Sequence, residues 1–371
     1  KGRLHTLEEF NRPENQDLRD NMGAAAHLIH GSPDGRFSIT YAVKEISQQE
    51  IKSVGFLSAS YDELAKKYDP EKLHYGYNTV VVQLRPNGDS FYNSAYYPWS
   101  KFCTGTAGRA PAYDPTEIMV NEAHKQGLSF HAWFNPLRLD SNANMAATDN
   151  KYLTKQWYNN KRGDYVVYVG SYWYLNPAYP EVRQLIINGA VEIMQKYKVD
   201  ALHIDDYFYP TTATSFDSTA YSKLGGGKSL AEWRRGNINT LVRGIYSAIK
   251  NSNNKIRFGI SPAGNINNNY YDLYADVALW GSSGFMDYCM PQIYFGYEHN
   301  TLDYIKCLND WKRTVTNSGI DLVIGLGAYK IGLESDGGSD EWSRDTTILK
   351  RQVQDARSGL GGRYKGLYVR L

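Results

Sequence analysis

Cysteine is scarce in this 371-residue chain, and its charge is nearly balanced. The three cysteines, Cys103, Cys289 and Cys307, are odd in number and lack the spacing of metal ligands. We therefore expect three free thiols, with neither a disulfide framework nor a cysteine metal site. The 41 basic and 39 acidic side chains leave a formal net charge of +2. So small a charge indicates no electrostatic binding of nucleic acid or of an anionic membrane surface.

Long apolar runs and glycine-rich phosphate loops are also missing. No stretch is long and apolar enough to span a bilayer, so no transmembrane segment is predicted. The chain begins at Lys1 with neither an initiator Met nor a signal peptide, so its start indicates no compartment. No cofactor and no bound metal are predicted, and the sequence indicates no particular oligomeric state.

Aromatic residues, by contrast, are abundant. There are 31 Tyr, 12 Phe and 8 Trp, which together make up 14% of the chain. Many of these rings are expected in the core. Tyrosines in loops at strand ends also provide flat faces for stacking on sugar rings, together with hydroxyl groups for hydrogen bonds.

One short segment, 199–210, joins a buried strand to two adjacent carboxylates. Ala201, Leu202 and Ile204 are apolar enough for a strand that is covered on both faces, as in parallel sheets. Asp205 and Asp206 follow at once, and burying them would be costly without water, a partner or a ligand. Because α/β folds place their chemistry at the carboxyl ends of parallel strands, this junction is a candidate active site.

Strand patterns alternate with helical patterns along the whole chain. Helices are predicted over 116–126, 180–197 and 229–250. Eight strands are predicted, at 54–60, 79–85, 128–135, 201–206, 257–262, 287–294, 322–329 and 366–371. This order predicts an α/β fold, a parallel eight-stranded (β/α)₈ TIM barrel. A doubly wound sheet is the alternative, but no glycine-rich loop follows the first strand and polar residues end nearly every strand.

The domain prediction is one barrel at 51–371 with a long insertion at 139–179. Residues 1–50 are polar and weakly periodic, and their structure is not predicted. No helical pattern follows the eighth strand. We therefore expect the barrel to be incomplete at the eighth helix, with an N-terminal segment as one way to fill that gap.

Alternation along each strand predicts which side chains face the barrel axis. The outward set is mostly Val, Ile, Leu, Phe or Ala. Six strands place polar or small residues on the other face: Gln83 and Arg85; His131, Trp133 and Asn135; His203 and Asp205; Gly259 and Ser261; Gln292 and Tyr294; Gly327 and Tyr329. In a barrel these residues would converge near the carboxyl-terminal mouth.

Seven segments together resemble the signature blocks of the glycosyl-hydrolase-like ten family. They are QLRPNGDSFY (83–92), YPWS (97–100), HAWFNPLR (131–138), HIDDYFYP (203–210), FGISPAGN (258–265), DYCMPQIY (287–294) and GLGAYKIG (325–332). The resemblance covers about residues 52–371. It implies a bacterial (β/α)₈ glycoside hydrolase, commonly exported, that acts on cell-wall glycan or another polysaccharide. The expected location is therefore extracellular or in the cell envelope.

Hydrolysis of a glycoside generally requires two carboxyl groups. Asp205 is predicted to be the nucleophile or base, kept ionised by a hydrogen bond from His203, and Asp206 is the second choice. Asp89 is the predicted general acid, ahead of Glu334 and Glu341. Either aspartate of the pair could instead cap a loop or bind an arginine such as Arg138 or Arg234, and Asp89 could be a turn residue.

The remaining candidates are predicted to bind an oligo- or polysaccharide substrate. The predicted substrate-binding residues are Arg85, His131, Trp133, Asn135, Arg138, His203, Tyr207, Gln292, Tyr294, Tyr329 and Lys330. Within this set, Trp133 and Tyr207 are expected to stack on sugar rings. Analogy with other barrel glycosidases favours retention of the anomeric configuration.

Two other functions stay open. His131, His203, Asp205 and Asp206 could ligate the metal of a carbohydrate hydrolase or deacetylase, although no HxH or HxxxH spacing supports this. Alternatively, the barrel could bind glycans without cleaving them. No strand ends in a glutamate on its inner face, so the general acid of a hydrolase could be missing.

Overall fold

The structure, a computed structural model, describes residues 39–41, 51–56 and 78–370. Eight parallel strands and one short antiparallel strand form a closed barrel. The antiparallel strand is β1 (Ile39–Tyr41). The parallel strands are β2 (Ile51–Phe56), β3 (Thr79–Arg85), β4 (Ser129–Phe134), β7 (Ala201–Ile204), β8 (Arg257–Ile260), β9 (Tyr288–Cys289), β10 (Asp321–Gly327) and β11 (Tyr364–Arg370). The remaining strands, β5 (Val166–Val169) and β6 (Tyr172–Leu175), form a separate hairpin.

The barrel closes between its first and last parallel strands. Strand β11 pairs with β2 in parallel, from Gly366 opposite Ile51 to Tyr368 opposite Ser53. Strand β1 pairs antiparallel with both β11 and β2. The predicted (β/α)₈ architecture is confirmed. The predicted N-terminal segment, 1–50, lies outside the described residues apart from β1, and residues 57–60 of the first predicted strand lie outside them too.

Helices cover the outside of the barrel and two of them occupy the insertion. Their bounds are α1 (Pro115–Lys125), α2 (Asn142–Ala147), α3 (Leu153–Asn160), α4 (Pro180–Lys196), α5 (Ser218–Leu224), α6 (Leu230–Ser252), α7 (Ile266–Tyr271), α8 (Val277–Ser283), α9 (Tyr304–Thr314), α10 (Glu341–Arg344) and α11 (Ile348–Leu360). No helix in the described part of the chain is both long enough and apolar enough to cross a membrane.

Local signals explain where the main helices begin. The Asp114 carboxylate accepts hydrogen bonds from the backbone N–H groups of Thr116 and Glu117, and Pro115 opens α1. Helix α6 begins with a capping box between Ser229 and Glu232. The helices predicted at 116–126, 180–197 and 229–250 therefore form within a few residues of their expected bounds.

Alternation along the strands divides the core into two layers. The larger layer lies between strands and helices and includes Val80, Val82, Phe130 and Ile204. A smaller cluster fills the inside of the barrel with Val81, Trp133, Ala201, Tyr288, Met290, Tyr294, Val323 and Tyr368. Neighbouring residues of one strand, such as Val80 and Val81, thus belong to different layers.

The sixth predicted strand, 287–294, is much shorter than expected. Only Tyr288 and Cys289 form a strand, because Pro291 has no N–H group to donate to the ladder. Two isolated hydrogen bonds continue the pairing with the neighbouring segment beyond Cys289. The Met290 N–H donates to the Ile260 carbonyl at 2.8 Å, and the Gln292 N–H donates to the Pro262 carbonyl at 3.0 Å.

The insertion at 139–179 is ordered by its own hairpin. The Leu139 N–H donates to the Trp173 carbonyl and the Trp173 N–H donates to the Asp140 carbonyl, both at 2.9 Å. The Leu175 N–H donates to the Leu137 carbonyl at 2.8 Å. Residues 137–140, which lie in the loop after β4, therefore act as a third strand that fixes the hairpin beside that loop.

Candidate active site

Strand β7 delivers its two carboxylates to the mouth of the barrel as the sequence predicts. The strand ends at Ile204, Asp205 follows with a side chain that is 5% exposed, and Asp206 is half-buried. The Tyr207 N–H donates to Oδ1 of Asp205 at 3.2 Å. A backbone donor of this kind stabilises the ionised form of a carboxylate.

Below Asp205, one tyrosine connects two histidines inside the barrel. The Tyr288 hydroxyl lies 2.9 Å from Nδ1 of His131 and 3.0 Å from Nδ1 of His203. Burial lowers the pKa of His203 to about 3. Burial, with His203 and Arg257 adding to it, holds the pKa of His131 well below its usual value. Both imidazoles are therefore neutral near pH 7.

Sequence reasoning missed Tyr288, although a signal for it was present. Tyr288 is an even number of residues away from Gln292 and Tyr294, which are both predicted on the inner face, so the alternation rule places Tyr288 on that face too. The position opposite it on β8 is Gly259, and a β-carbon there would overlap the Tyr288 ring. His203, expected to hold Asp205, engages Tyr288 through Nδ1, so its proposed bond to Asp205 stays a prediction.

Asp89 lies in the loop after β3 and is 4% exposed. Burial raises its pKa to about 6, and the nearby Asp140 carboxylate adds to the rise. Hydrogen bonds from the Ser100 side chain and the Asn87 N–H, together with the charge of Arg138, oppose it. A carboxyl group with this pKa is partly protonated near neutral pH, as a general acid requires. The Asn87 contact, 3.2 Å from N to Oδ1, also makes Asp89 the turn residue of the alternative interpretation.

Arg138 contacts groups that lie near Asp89 and near Asp205. Its Nε and Nη2 donate to the Pro86 carbonyl at 3.1 and 2.8 Å. Its guanidinium carbon lies 4.5 Å from the centre of the Tyr207 ring, and the Tyr207 N–H binds Asp205. Arg138 is also close enough to Asp89 to lower its pKa. Arg138 therefore lies near Asp89 and against the residue that binds Asp205 through its N–H group.

Trp133 and Asn135 support each other at the end of β4. The indole Nε1 of Trp133 donates to Oδ1 of Asn135 at 3.2 Å, and the Asn135 Nδ2 donates to the Pro86 carbonyl at 2.8 Å. Trp133 is 7% exposed and meets the His203 ring edge-on, with centres 6.4 Å apart. Gln292 likewise donates to the Ser261 carbonyl at 2.9 Å.

Arg85 does not face the mouth, and the prediction that it does is wrong. The register of β3 against β4 shifts between Gln83 and Arg85, so that Gln83 pairs with Trp133 but Arg85 pairs with Phe134. This bulge reverses the alternation. The Arg85 guanidinium carbon lies 4.1 Å from the Tyr97 ring centre and 4.8 Å from that of Phe134, both in the outer layer.

The candidates after β9 and β10 differ in exposure. Tyr294 is 8% exposed and Tyr329 is 43% exposed, and their rings meet edge-on with centres 5.8 Å apart. Lys330 is nearly buried, and its Nζ lies 2.8 Å from both carboxylate oxygens of Asp336. The Lys330 charge is thus paired within the protein.

The two weaker candidates for the general acid lie in different environments. Glu341 is 2% exposed, accepts a hydrogen bond from the Glu298 N–H at 2.8 Å and packs against Gly296. It therefore holds the loop after β9. Glu334 is exposed.

Arg234 was considered as a partner for the aspartate pair, but its carboxylate partner is Asp217. The two side chains are fully buried and lie 2.6 Å apart from Nη2 to Oδ1. Arg234 also donates to the carbonyls of Thr212 and Ala213. It therefore orders the loop that follows Asp205 and Asp206.

The alternative metal site receives no support from the arrangement of these side chains. Within residues 78–370, no group of three or more His, Cys, Asp or Glu side chains is placed to hold a metal ion. His131 and His203 both direct Nδ1 at the Tyr288 hydroxyl instead.

Comparison with known proteins agrees with this architecture. The chain is 38% identical over 336 residues to glycosyl hydrolase YngK of Bacillus subtilis, covering 84% of this chain and 62% of the relative. It is 35% identical over 279 residues to glycosyl hydrolase DigH of Escherichia coli K12, covering 69% of this chain and 63% of the relative. The chain thus spans somewhat less than two thirds of each relative.

Among solved structures, the glycoside hydrolase domain of PgaB (BpsB) from Bordetella bronchiseptica has a similar fold. The match has a TM-score of 0.52 at 13% identity and covers 78% of this chain and 83% of that domain. The sequence model of the family described as Glycosyl hydrolase-like 10 matches residues 56–343. Because that match covers most of the chain, the chain belongs to the Glycosyl hydrolase-like 10 family.

Proposed function

We propose that this protein hydrolyses O-glycosidic bonds in a bacterial cell-wall glycan or a related polysaccharide. One observation carries the proposal. Two buried carboxyl groups, Asp89 and Asp205, follow β3 and β7, Arg138 lies near Asp89 and against Tyr207, whose N–H binds Asp205, and burial raises the pKa of Asp89 to about 6. Glycoside hydrolysis generally needs such a pair, one carboxylate and one proton donor.

The proposed roles follow from the surroundings of each carboxyl group. Asp89 is the general acid that protonates the leaving oxygen, because it retains a proton up to about pH 6. Asp205, with the Tyr207 N–H at its Oδ1, is the nucleophile or the base that activates water. Asp206 is the alternative for that role. His131 and His203 are neutral and lie against the Tyr288 hydroxyl inside the barrel.

Exposed tyrosine rings at the mouth would bind the sugar. Tyr207 and Tyr329 are both 43% exposed and offer faces for stacking. The names of the relatives add support, since YngK and DigH are both named glycosyl hydrolases and the PgaB domain is named a glycoside hydrolase domain. Action on a cell-wall glycan would require export to the envelope, which we also propose.

The test is hydrolysis of a panel of glycans by the full chain. Peptidoglycan strands, chitin oligomers and α-linked glucans are incubated with enzyme, and new reducing ends are counted. We expect release from one class, with peptidoglycan strands first, and a loss on the order of a thousandfold in Asp205→Asn.

The matched control is Asp200→Asn. Asp200 lies at the opposite end of β7, where its carboxylate accepts a hydrogen bond from the Phe130 N–H at 2.7 Å. An amide oxygen can accept the same bond, so this variant should keep its activity. Equal activity in Asp205→Asn and Asp200→Asn would contradict the proposed site.

A further inference from the structure

Arg85 is a buried cation whose only hydrogen-bond acceptor among the described residues is a backbone carbonyl. The residue is 1% exposed, and its Nη2 donates to the Asn135 carbonyl at 3.3 Å. Nε and Nη1 are also buried, and neither has a hydrogen-bond partner within residues 78–370. Because a buried charge is costly unless it is paired, an anion beside Arg85 would stabilise the fold.

Two other buried cations of the described chain are paired with carboxylates. Arg234 lies 2.6 Å from Asp217, and Lys330 lies 2.8 Å from Asp336. Arg85 instead lies against two aromatic rings, with its guanidinium carbon 4.1 Å from the ring centre of Tyr97 and 4.8 Å from that of Phe134. Ring faces attract the positive charge but provide no acceptor in the plane of the guanidinium, where its N–H groups point.

Two buried tyrosines add hydroxyl groups near Arg85. Tyr92 and Tyr97 are 0% and 1% exposed. The Tyr97 hydroxyl has no hydrogen-bond partner in the described part of the chain, and the Tyr92 hydroxyl has only a weak interaction with the Ser94 side chain. Burial raises the pKa of both phenols, and the charge of Arg85 opposes that rise. Both phenols therefore keep their protons near pH 7 and can donate them in hydrogen bonds.

Glu192 is the carboxylate whose charge also reaches both phenols, but its oxygens are engaged by other groups. Its Oε2 accepts a hydrogen bond from the Ser94 hydroxyl at 2.5 Å, and its Oε1 accepts one from the Ala95 N–H at 2.7 Å. The Lys196 Nζ lies 3.3 Å from Oε1 and balances the carboxylate charge. The charge of Arg85 is therefore not balanced by a direct contact with Glu192.

Gly189 limits the size of what can lie beside Arg85. A β-carbon at Gly189 would lie 2.8 Å from Nη1 of Arg85 and 2.7 Å from the Tyr97 ring. Helix α4 thus packs directly against the guanidinium, and this close approach excludes a bulky anion. The bulge at the end of β3 turns Arg85 into the outer layer, so these groups lie apart from the mouth of the barrel.

We propose that Arg85, Tyr92 and Tyr97 form a binding site for a small monovalent anion of the halide type, chloride being the abundant example. Nε and Nη1 of Arg85 donate to the ion, and the phenol hydroxyls donate further hydrogen bonds. The ion balances the charge of a side chain that joins the end of β3 to the end of β4. Its role is to stabilise the fold, and the proposal does not depend on the proposed function.

The first experiment measures the thermal unfolding of the full chain as chloride replaces gluconate at constant ionic strength. Because the folded state alone holds the site, Tm should rise with chloride and then level off, by roughly 3 °C at a chloride concentration about a hundred times Kd. A general salt effect would not saturate. A Tm that does not rise with chloride, or that rises without levelling off, would overturn the proposal.

Variants assign the chloride effect to these side chains. Arg85→Gln should abolish the rise, and Tyr97→Phe should remove most of it while keeping the ring against the guanidinium. The matched control is Tyr209→Phe. Tyr209 is also 1% exposed and lies beside a buried arginine, with its ring centre 5.3 Å from the guanidinium carbon of Arg234, but that charge is paired with Asp217. Tyr209→Phe should keep the full rise, and an equal rise in all four proteins would contradict the site.

The second experiment locates the ion. Crystals of the full chain in sodium bromide should give an anomalous bromide peak within hydrogen-bonding distance of Nε or Nη1 of Arg85. Bromide found at exposed lysines and arginines but not at Arg85, or a water molecule bound there instead, would overturn the proposal. If Arg85→Gln does not fold, Tyr97→Phe and the position of bromide in the wild-type protein still decide.

Discussion

The ring of Tyr288 occupies the space in which a side chain on Gly259 would lie. The two residues are paired in the β8–β9 ladder, and the missing side chain allows the phenol to cross the barrel to His131 and His203. The absence of a side chain at Gly259 on β8 thus sets the position of the Tyr288 hydroxyl, which is bonded to His131 on β4 and His203 on β7.

Gly259→Ala should therefore destabilise the protein. The added methyl group overlaps the Tyr288 ring, which must move and give up its bonds to the two histidines. We expect a loss of about 3 kcal/mol in the free energy of unfolding, measured with urea. Gly236→Ala in helix α6 is the control, since a β-carbon there meets no neighbouring atom and should stabilise the helix by up to about 1 kcal/mol. Equal stability of Gly259→Ala and wild type would contradict the packing described here.

The buried histidines should make stability depend on pH. Burial lowers the pKa of His203 to about 3, so between about pH 4 and 6 the unfolded chain binds a proton at His203 that the folded chain does not. Stability attributable to this residue then falls by about 1.4 kcal/mol for each unit by which the pH decreases. Asp89 acts in the opposite direction, because its raised pKa stabilises the folded state at low pH and loses that effect as the pH rises towards 6.

His203→Gln isolates the histidine contribution, since Asp89 is common to both proteins. The free energy of unfolding, measured with urea between pH 4 and 6, should show a slope that is smaller by about 1.4 kcal/mol per pH unit in the variant. Parallel curves for the two proteins would mean that His203 is protonated in the folded state.

Ser100→Ala should raise the pKa of Asp89 further, because the Ser100 side chain donates a hydrogen bond that favours the carboxylate. If Asp89 is the general acid, the alkaline limb of the pH–activity profile should move up by as much as about one pH unit. Asp89→Asn should remove that limb together with most of the activity. An exposed serine, Ser222 in α5, supplies the control Ser222→Ala. An alkaline limb that stays in place in Ser100→Ala would rule out Asp89 as the titrating acid.

Sequence patterns predicted the barrel because each strand and helix carries its own local signal. Alternation of His203 with Leu202 and Ile204 is enough to tell which face of that strand meets the helices. The position of Asp205 and Asp206 was predicted for the same reason. The apolar run that ends at Ile204 marks the end of the strand, and the two carboxylates follow it at once.

The failures arise where a local irregularity or a long-range contact decides. One bulged residue turned Arg85 to the helix layer, and alternation alone does not reveal a bulge. Pro291 shortened β9 to two residues. The approach of Tyr172 to Arg138 depends on how the insertion hairpin docks beside residues 137–140, and strand patterns do not specify that docking.

The anomeric configuration of the first product tests the proposed chemistry most directly. Proton NMR, recorded on a cleaved glycan before mutarotation, should show one new anomer from the wild-type protein and none from Asp205→Asn. Retention would match a separation of about 5 to 5.5 Å between the two carboxyl groups, and inversion one of about 6.5 to 9.5 Å. We expect the retained anomer. Absence of a new anomeric signal from the wild-type protein on every glycan of the panel, or equal signals from wild type and Asp205→Asn, would contradict hydrolysis by this pair of carboxylates.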